Sequence, residues 1–148
     1  MGTSPFSEPE TQAINSYYQC LSNVVAAVDF HSYSQLILRP HAFSNINSQH
    51  ESEFKRVSNL IANAMKAVDN KSYYPQKSID LYASTGTALD YFYLSKPHNN
   101  THWVFSIMVE LRPNTPQSGG ILLPPSQIIP TGKEALAALL QIVVYKLE

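Results

Sequence analysis

Between residues 54 and 68 apolar side chains recur at steps of three and four: Phe54, Val57, Ile61, Ala64, Met65 and Val68. A helix gathers such positions onto one face, and that face must be covered by a sheet or another helix. Short apolar runs lie on either side of it. Val24 to His31 (VVAAVDFH) reads as a buried strand, Leu36 to Leu38 as a second one stopped by Pro40, and Trp103 to Leu111 (WVFSIMVEL) as a central strand. Strands alternating with helices indicate an α/β domain with a mostly parallel or mixed sheet, whose functional residues gather where strand ends meet loops. His31 and Glu110 stand at two such ends.

The remaining segments fill in around this frame. Ser7-Glu8-Pro9-Glu10 has capping-box spacing with a proline in the first turn, which predicts a helix running to about Leu21. Thr131 and Glu134 form a second capping box, opening a final helix whose buried side is expected to be Ala135, Leu136, Leu139, Leu140, Val143 and Leu147. Residues 69–80 and 95–101 are polar and turn-rich and read as surface loops, with a short apolar segment, Ala88 to Leu94, between them. From Pro113 to Pro130 the density of proline predicts extended chain or loop.

At 148 residues the chain is one domain, 1–148, by length. A formal net charge of -1 gives no electrostatic reason to expect nucleic acid or an anionic membrane as partner. No unbroken apolar stretch of about 18 residues predicts a membrane span. The opening MGTSPFSEPE is polar and acidic where a signal peptide is basic and then apolar, and compartment stays open. A single cysteine, Cys20, excludes an intrachain disulfide, and its apolar neighbours predict burial. Asn70-Lys71-Ser72 and Asn99-Asn100-Thr101 are glycosylation sequons that matter only in the secretory pathway. His98 and His102, four apart in a loop-like setting, read as a chance pair rather than a metal chelate.

Four segments, in order, carry a resemblance. Asp29-Phe30-His31-Ser32-Tyr33-Ser34-Gln35-Leu36-Ile37-Leu38 resembles the zinc metallocarboxypeptidase family, in which a zinc-binding histidine ends a strand and is followed by Ser-Tyr-Ser-Gln. Val109-Glu110-Leu111-Arg112 is similar to the segment bearing that family's catalytic glutamate, and residues 120–130 (GILLPPSQIIP) to the stretch after it. The opening Pro5-Phe6-Ser7-Glu8-Pro9-Glu10-Thr11 is similar as well, so the resemblance runs from about Pro5 to Leu147. It implies the C-terminal half of a mixed-sheet α/β/α catalytic domain with helices on both faces, hydrolysing the C-terminal bond of peptides or proteins with Zn²⁺. It makes His31 the third zinc ligand and Glu110 the general base. Tyr82 matches the mobile tyrosine that folds over the bound C-terminal residue. Leu89 matches the floor of the specificity pocket, where leucine implies an apolar or aromatic substrate residue. Tyr33 and Ile121 match positions lining the substrate cleft.

The sequence also departs from that pattern. The other two zinc ligands come from a His-x-x-Glu motif that in the family lies well upstream of this histidine, and no histidine precedes His31 here; the one string of that spacing, His50-Glu51-Ser52-Glu53, comes after it. No Asn-Arg pair is present to hold a substrate carboxylate. Lys77 and Asp80 stand where the family shows small or apolar residues, and the loop after Arg112 is long. The chain is therefore expected to be inactive alone, with strands left as an unpaired edge that invites a missing N-terminal half or self-association. Two readings stay open: part of an active enzyme, or a short carboxypeptidase-like binding protein without peptidase activity. On the residues alone, a histidine at a strand end such as His31 is more often a hydrogen-bonded structural residue than a ligand, and Glu110, ahead of Arg112, could be half of an ordinary ion pair.

Overall fold

The computed structural model describes residues Gly2–Leu147. Met1 and Glu148, the ends of the expected domain, lie outside the described residues. In chain order the elements are α1 (Pro9–Cys20), β1 (Ala26–Ser32), β2 (Leu36–Arg39), α2 (Glu51–Asp69), β3 (Tyr74–Lys77), α3 (Ala88–Leu94), β4 (Phe105–Leu111) and α4 (Ile128–Leu147). Short 3₁₀ turns occupy Ser78–Asp80, Pro116–Ser118 and Pro125–Gln127. The sheet runs β1-β4-β2-β3. β1 is parallel to β4 and β3 to β2, while β2 is antiparallel to β4, so the sheet is mixed.

Alternation along β4 divides the core. Phe105, Ile107 and Val109 face α2 and α4, packing with Phe54, Val57, Ile61, Met65, Ala138, Ile142 and Tyr145. Phe54, Val57, Ile61 and Met65 are fully buried, as their spacing predicts, each burial contributing roughly 1.5–3 kcal/mol; Ala64 is only half-buried and Val68, expected on the same face, is exposed in the last turn. Met108 faces the other way, clustering with Leu38, Leu89 of α3 and Leu36. Helices thus cover both faces. α2 ends at Asn70, whose left-handed backbone (φ 53°) closes the last turn.

Several expectations change. Within the expected loop 69–80 lies β3, an edge strand; its Tyr-Pro-Gln-Lys sequence carries no apolar alternation, and Pro75 is tolerated because an edge strand can spare a donor. β1 is not a buried strand. It forms the opposite edge, pairs only with β4, and is half-buried at Ala26–Asp29 and exposed at Phe30–Ser32.

Neither capping box forms. At α1 the Ser7 hydroxyl donates to the Glu8 carboxylate (2.8 Å), and Glu8 occupies the cap position without a side-chain cap bond. α4 begins at Ile128, which draws Pro130 into the first turn, where its missing N–H costs nothing. Thr131 then bonds back to the Gln127 carbonyl (2.6 Å) and Glu134 turns inward. The buried side of α4 is Glu134, Ala138, Ile142 and Tyr145, while Leu136, Leu139, Leu140, Val143 and Leu147 are exposed. By length and composition alone, Pro125–Leu147 could also cross a membrane, although in this fold its inner side lies against α2 and the sheet. Cys20 is exposed, since α1 lies on the surface and buries only Tyr18.

Candidate functional site

His31 and Glu110 are direct neighbours across the parallel β1–β4 ladder, at its C-terminal end. Partners in register project to the same side of a sheet, so imidazole and carboxylate emerge together, on the face that also carries Met108 and α3. Leu36 pairs with Glu110 from the other neighbour, β2. The structure therefore brings His31, Glu110 and the cluster around Leu89 to one face and leaves the first two at its rim.

Burial pushes the Glu110 carboxyl above the usual carboxylate range; the nearby His31 draws it back down and the Asp29 carboxylate raises it further. A carboxyl so placed holds a proton more readily than a solvated one, the direction that favours a proton-accepting role. His31 is exposed, and its Nε2 lies 2.9 Å from Asp29 Oδ2. Asp29 was not among the sequence candidates, yet the period-two rule places residues 29 and 31 on one face of a strand. That spacing was the available signal.

Behind the site, β4 is anchored by charge. Arg112 donates through Nε to Glu134 Oε2 (2.9 Å), and its Nη2 lies within hydrogen-bond reach of Glu134 Oε1 and of Asp69 (2.8 Å); Gln127 accepts from Nη1 (2.7 Å). Tyr73 donates to Glu134 (2.8 Å), and burial together with Glu134 pushes its phenol well above the ordinary range. Glu134 is wholly buried and its hydrogen-bond acceptors are occupied, as a buried charge requires. Arg112 is thus committed to Glu134 and Asp69. Glu110 is not half of an ion pair with it, because the strand ends at Leu111 and the guanidinium turns to the opposite side.

The other candidates sit at the same end of the chain fold in different settings. Tyr33 follows β1 and packs beside Gly120, where an added Cβ would come 3.6 Å from the ring. Ile121 is 77% exposed on the wall of a cavity of about 330 Å³ that also involves Ser32, Leu111, Arg112 and Gly120. Tyr82 is 67% exposed on the loop before α3, and Leu89 is fully buried against Leu38 and Met108.

A metal ion fits this chain only at a corner. His31 offers one imidazole beside two carboxylates, but among the described residues no group of three His, Cys, Asp or Glu is disposed to hold a metal. Three protein ligands are what fix a catalytic zinc.

A family profile described as "Zinc carboxypeptidase" matches residues 1–138. Carboxypeptidase O of Bos taurus is 35% identical over 143 residues, covering 95% of this chain and 36% of the relative. Carboxypeptidase A1 of Rattus norvegicus is 30% identical over 142 residues, covering 95% of this chain and 32% of its own length. The crystal structure of thrombin activatable fibrinolysis inhibitor superposes with a TM-score of 0.84 at 31% identity, over 97% of this chain and 35% of that one. A bovine counterpart solved in complex with a tick carboxypeptidase inhibitor gives 0.83 at 30%, over 97% and 47%. The chain thus spans about a third of the length of the curated relatives it matches.

Proposed function

Because the chain belongs to the zinc carboxypeptidase family, we propose that residues 1–148 are the C-terminal half of a metallocarboxypeptidase catalytic domain, carrying its proton-transfer carboxylate, one metal ligand and one side of the substrate cleft. The observation that carries this reading is the register of His31 against Glu110 at the open end of two parallel strands. Zinc, once held by three ligands, polarises a scissile carbonyl and acidifies water. Within this chain Glu110 takes the proton of the attacking water and returns it to the leaving amine, a task its raised pKa favours. His31 supplies one ligand of the three, with Asp29 holding the ring from the other side.

The substrate is a peptide or protein C-terminus. The family resemblance puts Leu89 at the pocket floor, which would give an apolar or aromatic preference; in this fold its side chain is fully buried against Leu38 and Met108, so the preference would act through that apolar cluster. Tyr82, exposed on its loop, closes over the terminal residue with an apolar ring and a polar hydroxyl. Tyr33 and Ile121 border the cleft on the β1 side. The competing reading, a binding protein without peptidase activity, is favoured by the lack of a three-ligand group among the described residues.

Complementation decides between them. The purified chain with zinc should show no chelator-sensitive release of C-terminal phenylalanine from a chromogenic peptide. Co-expression with a family segment bearing His-x-x-Glu and Asn-Arg should restore it, and Glu110→Gln in that complex should then lower turnover by about 10²–10⁴-fold while zinc content holds. His31→Ala should instead lower zinc content. Failure of every complementing segment, with a soluble and folded chain, supports the binding-protein reading.

A further inference from the structure

At the end of the sheet away from Glu110, a second cavity opens beside Trp103, about 560 Å³ in volume. Trp103 and Glu110 are separated by seven strand positions, roughly 23 Å of extended chain. The volume lies in the range of small-molecule sites, about 300–1,000 Å³. The polar walls are made by His41, Gln49, His50, Lys96, Thr101 and His102, and none of the lining residues is acidic. His102, the member of the loop pair with no role at the other site, thus joins two histidines distant in sequence.

The histidines nearest the floor are held in place. His41 is half-buried with Nδ1 3.4 Å from Asp90 Oδ1, and Asp90 is itself fixed by the Ala42 N–H (3.0 Å) and the Thr87 hydroxyl (3.2 Å). His50 is anchored through Nδ1 to the Tyr93 hydroxyl (3.0 Å) and stacks on Trp103 with centroids 3.9 Å apart. The His50 ring is therefore tethered at Nδ1, which leaves its Nε2 free of that bond, while His41 Nδ1 is buried near Asp90 without a hydrogen bond. His50 also occupies the N-cap of the 19-residue α2, whose first turn carries Glu51 and Glu53, so the helix end itself adds no net positive field.

We propose that this cavity is a second binding site, for a small organic phosphate or sulfate monoester. Lys96, His102 and Thr101 meet the oxyanion, and the apolar body lies along Leu94 and the edge of Trp103. Charge-assisted donors favour such an oxyanion over a neutral ligand of the same shape, and the histidine-and-lysine wall disfavours a cation.

Trp103 is the single tryptophan of the chain, so its fluorescence reports this cavity alone. Titration of the purified chain with phenyl phosphate and with phenyl sulfate should give a saturable change, with the tighter of the two naming the ester class. Phenol, and sodium chloride at matched ionic strength, should give none. Inorganic phosphate should bind about tenfold more weakly than its phenyl ester for want of the apolar contact. The double variant Lys96→Ala, His102→Ala, both exposed positions, should weaken binding by at least about tenfold while the far-ultraviolet circular dichroism stays unchanged. Calorimetry guards against a spectroscopically silent complex. No saturable binding of either ester by both methods at millimolar concentration overturns the proposal, as does equal affinity in the double variant.

Discussion

Helices α2 and α4 lie side by side on one face of the sheet, and they are held there in opposite ways. α2 presents Phe54, Val57, Ile61 and Met65, all with no exposed surface, and turns charged residues such as Lys55 and Arg56 outward. α4 is the more apolar of the two, yet it turns Leu136, Leu139, Leu140, Val143 and Val144 to solvent and faces the sheet with Glu134, Ala138, Ile142 and Tyr145. α2 thus buries most of its apolar face within this chain, whereas α4 buries one face and leaves a second apolar face exposed. The exposed face accompanies β1, an edge strand whose outer backbone groups pair with nothing in the sheet. Both surfaces are open among the described residues, an apolar helix face and a sheet edge of the kind that another chain can pair with.

The largest effect should come from the one charged residue on α4's inner side. Glu134→Ala leaves Arg112 buried with one acidic partner fewer and strips Tyr73 of its acceptor, and such a broken buried pair costs about 3–5 kcal/mol. Urea unfolding followed by circular dichroism measures it. A loss below about 1 kcal/mol would mean that α4 is held by its apolar contacts alone.

Next, the same truncation on the two helices should give unequal results. Ile61→Ala on α2 removes a fully buried side chain and should cost about 2–5 kcal/mol. Leu140→Ala on α4, 57% exposed, should change the stability of the isolated chain by no more than about 0.5 kcal/mol. Equal losses would show that Leu140 is covered in solution.

That leads to association. The wild-type chain should sediment as a self-associating species at tens of micromolar, and Leu139→Lys with Leu140→Lys should shift it towards monomer. A compact wild-type monomer at that concentration would sink the idea that the α4 face seeks a partner.

The smallest effect belongs to Glu110. Its pKa is raised in the folded state, so the protonated form is the one that folding favours. Its contribution is fully present below the unfolded value of about 4.5 and is lost as pH rises through the folded value. Glu110→Gln should therefore stabilise the chain slightly at pH 7, by well under about 1 kcal/mol because the group is partly solvated, with the gain vanishing near pH 4. Thermal melts of both forms across that range test the sign.

How much of this was legible beforehand follows from which rule each residue obeys. The buried face of α2 was legible because a single period governs it. His31 and Glu110 were legible as strand-end residues set in recognisable surroundings, and the structure adds that they stand in register. β3 was hidden, since an edge strand needs neither alternation nor β-branched residues when its partner supplies the order. Asp29 lay within reach of the alternation rule, whereas the cavity around Trp103 draws on four separated segments and no local pattern announces it.

The sequence by itself determined the alternation of helix and strand, the family, and the identity of the groups that can do chemistry, because local periodicity and short motifs are written in neighbouring residues. Only the tertiary structure decided which side of α4 is buried. Leu136, Leu139, Leu140 and Val143 outcompete Glu134 on hydrophobicity alone. The buried guanidinium of Arg112 nevertheless requires a carboxylate, and meeting that requirement rotates the helix and sends its leucines outward.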